Sequence, residues 1–211
     1  MKQIKLFDPY TDKLEKIAIN KVLESNFWAS GAGNGNVKKF EEKFSKYVNS
    51  KSSVAVNSGT AALNLALSMY DIKNREVILP SLSFVATANA IVENGGIPKF
   101  VDINEKTLCI EPKKILDSIT NKTKIILPVH FGGFSSDLAE ISKICKKNKI
   151  HLIEDAAHST GATYKNRKIG SHGDLVCFSF HPVKNLAMPT GGLIAINSKN
   201  YKKIKKTLKE K

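Results

Sequence analysis

The stretch FSFHPVKNLAMPTGG, Phe178 to Gly192, joins the end of one apolar run, Leu175 to Ser179, to the start of another, Leu193 to Ile196. How it joins them decides the fold. Both runs have the length and apolar content of buried strands. The 13 residues between Ser179 and Leu193 include two prolines and two glycines, too little for the helical crossover that parallel neighbours need. The last strand is therefore predicted to return antiparallel. The same stretch holds an isolated cation. The chain has 33 Lys and Arg residues, of which only Arg75 and Arg167 are arginine, yet Lys184 is the only Asp, Glu, Lys or Arg between Asp174 and Lys199. Elsewhere lysines come in pairs such as Lys146-Lys147 and Lys202-Lys203. Here one amine sits among Phe180, Pro182, Val183 and Leu186, where desolvation is expected to lower its pKa and make the neutral form accessible.

Five further apolar runs precede these two: Val54 to Val56, Glu76 to Leu79, Ile97 to Val101, Lys124 to Pro128 and Ile150 to Glu154. Helix-like segments separate most of them: Thr60 to Met69, Phe84 to Asn94, Pro112 to Ile119 with proline in the first turn, and Asp137 to Asn148 with Leu138, Ile141, Ile144 and Cys145 on one face. Strand and helix alternating in this way predict an α/β fold with a seven-stranded, mainly parallel sheet and one antiparallel strand. The strands lack apolar-polar alternation because helices are expected on both faces, giving three layers. No repeat, linker or composition shift divides the chain. It reads as one domain, residues 1–211, with an N-terminal helical segment over 1–50, its helices at Asp12 to Ser25 and Val37 to Val48 packed around the sheet.

Composition narrows the function classes. At 211 residues and 42% hydrophobic, the chain can bury a sizeable core. The formal charge of +14 invites a nucleic-acid reading, but the cations are almost all lysine, lack interleaved aromatics and thicken only in YKKIKKTLKEK, Tyr201 to Lys211. No nucleic-acid partner is expected. A lysine-rich surface favours an anionic small substrate. No run approaches a membrane span and the first residues do not read as a signal peptide, so a cytoplasmic location is expected. Cys109, Cys145 and Cys177 are widely spaced and read as buried reduced thiols, with no metal site implied. GAGNG, Gly31 to Gly35, lacks both a preceding strand and the full dinucleotide-binding spacing. No hydrolase elbow, Walker loop or zinc-protease motif is present.

In open α/β sheets ligands lie beyond the carboxyl ends of the strands. After the first strand, Asn57-Ser58-Gly59-Thr60 opens into a helix; it is either a phosphate seat or an ordinary N-cap. After the second, Phe84 stands at a helix start, as core or as a platform for a ring. After the fifth come Glu154 and Asp155, followed by Ala156, Ala157 and His158. A carboxylate pinned beside small residues can approach a flat ring and pair with a protonated pyridine nitrogen. After the sixth, Ser179 adds a hydroxyl and Lys184 an amine. Together these are the parts that hold pyridoxal 5′-phosphate covalently on a lysine.

The motifs NSGTAAL, PSLSFVATANAI, EDAAHSTGA and SFHPVKN followed by TGG resemble, in order and across essentially the whole chain, those of the DegT/DnrJ/EryC1/StrS aminotransferases, a nucleotide-sugar branch of the fold-type I pyridoxal-phosphate enzymes. The resemblance implies cofactor-phosphate contacts from Gly59, Thr60 and Ser179, with Ser58 beside them, and stacking by Phe84. It implies that Asp155 meets the ring nitrogen, with Ala157 alongside, that His158 lies near the ring hydroxyl, and that Lys184 forms the Schiff base. It further implies a homodimer, an amino donor such as glutamate and a keto-sugar nucleotide as acceptor. Some relatives carry histidine in place of the lysine and dehydrate sugars, so Lys184 favours amino transfer. Many members carry an acidic residue before the glycine pair, where this chain has Met188-Pro189-Thr190. The family also continues into a smaller C-terminal domain; this chain resembles the large domain alone, and weak cofactor binding and poor turnover are expected of it. A noncatalytic pyridoxal-phosphate-binding module is the alternative reading, and a nicotinamide-dependent dehydrogenase a weaker one.

Overall fold

The computed structural model describes residue 5, residues 8–28 and residues 35–211. Gly31, Ala32, Gly33 and Asn34 of the GAGNG run lie outside the described residues, and Gly35 is the N-cap of a helix rather than part of a strand-to-helix turn. The elements run α1 (Lys13–Glu24), α2 (Asn36–Val48), β1 (Ser52–Val56), α3 (Gly59–Leu67), β2 (Glu76–Pro80), α4 (Val85–Glu93), β3 (Ile97–Val101), α5 (Pro112–Ser118), β4 (Thr123–Ile126), α6 (Leu138–Asn148), β5 (His151–Asp155), β6 (Thr163–Tyr164), β7 (Arg167–Lys168), β8 (Leu175–Ser179), β9 (Gly192–Ile196) and α7 (Tyr201–Glu210). A single 3₁₀ turn, Phe131–Gly133, follows β4.

Seven strands form one sheet in the order β1-β9-β8-β5-β4-β2-β3, and β6 and β7 form a separate small hairpin. From β8 to β3 every pairing is parallel; β9 is antiparallel to both β8 and β1. The single reversed strand is the one that the short Phe180 to Gly192 connection predicts. Fold-type I architecture is the outcome expected from the sequence.

Continuous apolar runs work here because successive side chains alternate between two covered faces. Val77, Leu79, Ile125, Leu127, Ile153, Leu175, Cys177 and Ile194 pack with α3, α4 and α7. Their neighbours Ile78, Ile126, Leu152, Val176, Phe178 and Leu193 pack with α2, α5 and α6. Each such side chain, fully buried, contributes about 1.5–3 kcal/mol of transfer free energy. On the second face Phe44 meets Phe178 edge-on at 5.0 Å, and Phe180 meets Phe40 and Phe44 at 5.4 and 5.6 Å.

Two expectations need correction. The N-terminal helices do not both pack on the sheet: α2 buries Phe44 and Val48, whereas α1, closed by a capping box between Asp12 and Glu15, buries no residue. Phe180 and Leu186 do not wall in Lys184. Phe180 belongs to the core on the α2 face, and Leu186 is 39% exposed.

Candidate active site

The carboxyl ends of β1, β2, β4, β5 and β8 converge on one cavity of about 330 Å³ on the α3 and α4 side of the sheet. Ser58, Gly59, Thr60, Phe84, Asp155, Ala157, His158, Ser179 and Lys184 all line it. Sequence positions 58 to 184 are thus brought to one place by topology alone.

In the β1-α3 turn the expected cap is present. Ser58 is the N-cap, its Oγ accepting from the Ala61 N–H at 3.1 Å. Gly59 and Thr60, the first two helical residues, have no acceptor for their N–H groups within the helix, so capping by Ser58 leaves an electropositive helix end beside it. Gly59 is required by a close approach: a Cβ there would lie 2.6 Å from the Ser179 Cβ. Thr190 Oγ1 donates to the Asn57 carbonyl at 2.6 Å and ties the turn to the far end of the Lys184 loop.

Phe84 is the N-cap residue of α4 and is 71% exposed. It is not core. Asp155, at the end of β5, is 4% exposed and anchored on both oxygens: Thr87 Oγ1 donates to Oδ2 at 2.8 Å and the Ala157 N–H donates to Oδ1 at 3.1 Å. Glu154, its neighbour, points through the sheet to the other face.

His158 accepts from the Gly132 N–H through Nδ1 at 3.2 Å, and its ring meets Phe131 edge-on at 5.6 Å. An acceptor Nδ1 places the proton of the neutral ring on Nε2. Burial holds its pKa below the ordinary 6.5; the Lys184 charge pushes the same way and the Asp155 charge opposes both. Lys184 sits in the irregular loop after β8. Burial lowers its pKa below the ordinary 10.5, with Asp155 opposing. Val183 also lines the cavity beside it, and the loop is fastened by Asn185 Nδ2 donating to the Thr160 carbonyl and by the Met188 N–H donating to the Phe180 carbonyl at 2.8 Å.

The profile of the DegT/DnrJ/EryC1/StrS aminotransferase family matches residues 9–211. The chain belongs to this family. Its members are pyridoxal-phosphate enzymes. The spore coat polysaccharide biosynthesis protein SpsC of Bacillus subtilis is 43% identical over 187 residues, covering 88% of this chain and 47% of that protein. The putative sugar aminotransferase Spr1654 of Streptococcus pneumoniae, solved in its PLP form, superposes with a TM-score of 0.92 at 28% identity, covering 98% of this chain and 57% of that one. The GDP-4-keto-6-deoxy-D-mannose-3-dehydratase of E. coli, solved with hydrated PLP, gives a TM-score of 0.86 at 32% identity over 93% of this chain and 51% of that one. The chain spans about half the length of the curated relatives it matches.

Some lining residues of this family member escaped sequence reading. Thr87 hides in the apolar helix run VATANAIVE, where a lone threonine reads as neutral filler; its partner is 68 positions away. Phe131 and Val129 lie in a turn without a recognisable motif, and Cys177 enters from the apolar β8 run. Burial, then the nearby Asp155 and Glu154 charges, push the Cys177 thiol well above its ordinary value, so it presents an inert surface rather than a nucleophile. The other two cysteines are likewise free and buried. Among the described residues no cluster of metal ligands is present and no helix is long and apolar enough to cross a membrane.

Proposed function

We propose that the cavity holds pyridoxal 5′-phosphate and that the chain provides the cofactor-binding part of an aminotransferase acting on a nucleotide-linked keto-sugar, with glutamate as donor. The observation that carries this reading is the convergence, in one cavity, of Lys184, the buried carboxylate of Asp155, the uncovered ring of Phe84 and the α3 N-terminus. The donor set fits the group. The helix end and the Thr60 and Ser179 hydroxyls suit a phosphate, the missing Cβ of Gly59 lets the β1 and β8 ends close together, Phe84 offers a flat face, and Asp155 offers an anion to a protonated ring nitrogen.

Bound, the cofactor supplies an aldehyde that condenses with amines and a ring that withdraws electrons from the adjoining carbon. The chain's residues do the rest. Thr87 and Ala157 fix the Asp155 carboxylate, which would offer its charge to a protonated ring nitrogen. Gly132 and Phe131 orient His158, whose Nε2–H would be available to the ring hydroxyl. Lys184 would hold the cofactor through its amine, and the same Nζ, as a free base, would accept and return the proton of the donor's α-carbon. Its lowered pKa raises the share of neutral amine available for both tasks. The presence of a lysine at position 184, where dehydrating relatives carry histidine, also favours amino transfer. Exposure of Phe84 in the cavity lining and of the adjacent Val85, 71% and 61%, supports a homodimer in which a partner covers the site.

Borohydride reduction of the chain with pyridoxal phosphate, followed by peptide mapping, tests the reading. A stable label at Lys184, absent in Lys184→Ala, is expected; labels scattered over surface lysines overturn it. A second reading, a noncatalytic cofactor-binding module, predicts the Lys184 label without amino transfer from glutamate in a preparation containing the whole family-length protein.

A further inference from the structure

Of the two adjacent carboxylates in IEDAAH, the proposed chemistry uses only Asp155. Glu154 is fully buried on the opposite face, where its Oε2 lies 2.9 Å from Nε2 of the equally buried His130, and its Oε1 accepts from the Gly173 N–H. The other nitrogen of His130, Nδ1, accepts from the Ser136 N–H at 3.1 Å. These donors settle the protonation pattern. An imidazole whose Nδ1 accepts carries its proton on Nε2, and a carboxylate that meets an N–H at each oxygen has only acceptors to offer. Gly173 leaves room for the arrangement: a Cβ there would stand 2.6 Å from Glu154 Oε1.

Two buried ionisable groups are expensive to desolvate, and an apolar pair of the same volume would often serve stability as well. What an apolar pair would not do is fix direction. His130 is bonded into both cavity-facing segments: its N–H donates to the Asp155 carbonyl at 3.0 Å, and its own carbonyl accepts from Ser159 Oγ at 3.1 Å and from the Gly133 N–H at 3.3 Å. The turn that starts at its next residue supplies the Gly132 N–H to His158 Nδ1 and the Phe131 ring edge.

We propose that His130 and Glu154 are a buried positioning pair, which sets the orientation of His158 and the placement of Asp155 from the reverse face of the sheet. Its importance for cofactor binding rests on the function proposed above; the mechanical link between the two faces does not.

The test therefore reads the cofactor-free chain first. Side-chain ¹⁵N–¹H correlation spectra of the histidines are recorded for wild type, Glu154→Gln, His130→Gln and, as a packing control on the same face, Val176→Ala. A glutamine at 154 offers one acceptor and one donor to two N–H groups, so one contact becomes a clash. The expected result is a fixed Nε2–H form for His130 and His158 in wild type and in the control, and loss of that fixed form at His158 in folded Glu154→Gln and His130→Gln. Ser159→Ala removes only a hydroxyl from the same network and is expected to shift His158 in the same direction, which keeps the test decisive where the larger changes prevent folding. An unchanged His158 in the folded network variants, or the same change in Val176→Ala, overturns the proposal. Pyridoxal-phosphate affinity, measured next by the circular dichroism that the bound chromophore acquires, is expected to weaken about tenfold or more in Glu154→Gln. If His158 responds while wild type acquires no such signal, the positioning pair stands and the cofactor reading fails.

Discussion

Thr87 Oγ1 donates a 2.8 Å hydrogen bond to Asp155 Oδ2, joining two buried side chains from α4 and β5. Thr87→Val keeps the shape and deletes the donor, leaving one carboxylate oxygen without it. The change is expected to cost about 1–3 kcal/mol, read as a fall of roughly 2–4 °C in melting temperature per kcal/mol. Thr87→Ser should recover most of the loss, and a Val variant as stable as wild type would show that the bond contributes nothing.

Gly59→Ala places a methyl against Ser179 where the β1 and β8 ends meet. Overpacking of this kind is expected to cost about 1–3 kcal/mol. Denaturant titration measures it. Because the same shift moves the α3 N-terminus, inorganic phosphate should protect the variant less than wild type from thermal unfolding.

Phe84→Ala separates binding from stability. The residue is 71% exposed, so the cofactor-free melting curve should move by no more than about 0.5 kcal/mol. Pyridoxal-phosphate affinity should fall roughly 2- to 12-fold, the range of an aromatic contact. A large loss of intrinsic stability would place the ring in the core after all.

Lys184 predicts an unusual pH dependence. Its folded pKa is lowered below 10.5, so the unfolded chain binds the proton more tightly and stability rises with pH between the two values. The penalty is complete below the folded pKa and gone above 10.5. Lys184→Met is therefore expected to stabilise the cofactor-free chain at neutral pH, with an advantage that shrinks as pH climbs toward 10.5. An advantage independent of pH would trace to packing instead.

His158 acts at the acid end. Its folded pKa lies below 6.5, so its contribution is absent above 6.5, turns destabilising as pH falls below 6.5 and is complete below the folded value. His158→Gln should flatten the acid limb of the stability curve below pH 6.5 without changing it at pH 8. Parallel curves for the two proteins would sink this reading.

The sheet was legible because each strand is a short run rich in apolar residues, as in EVILP of β2 and LVCFS of β8, and because a short connection with Pro182, Pro189, Gly191 and Gly192 has one practical geometry. The β6-β7 hairpin was not, since two-residue strands have no period to detect. The cavity residues that close strands, from Ser58 to Lys184, were legible through their position in the α/β pattern and the family motifs. Thr87 and His130 were not, because their roles come from partners 68 and 24 positions away. The surroundings of Lys184 were misjudged for a related reason: sequence adjacency to Phe180 suggests contact, but the pleat and the turn send that ring to the α2 face. The amphipathic pattern of α1 shows that a helix forms, and says nothing of what it packs against.

The reversed strand β9 has a consequence for how the molecule is made. Among the described residues β1 pairs in the sheet only with β9, with Ser52 opposite Ile196 and Val56 opposite Gly192. During synthesis, the Ser58-Gly59-Thr60 turn therefore leaves the ribosome long before its strand has a neighbour. Its half of the cavity waits until residues 192–196 have been made, and closure of that long loop is the step that should govern the folding rate.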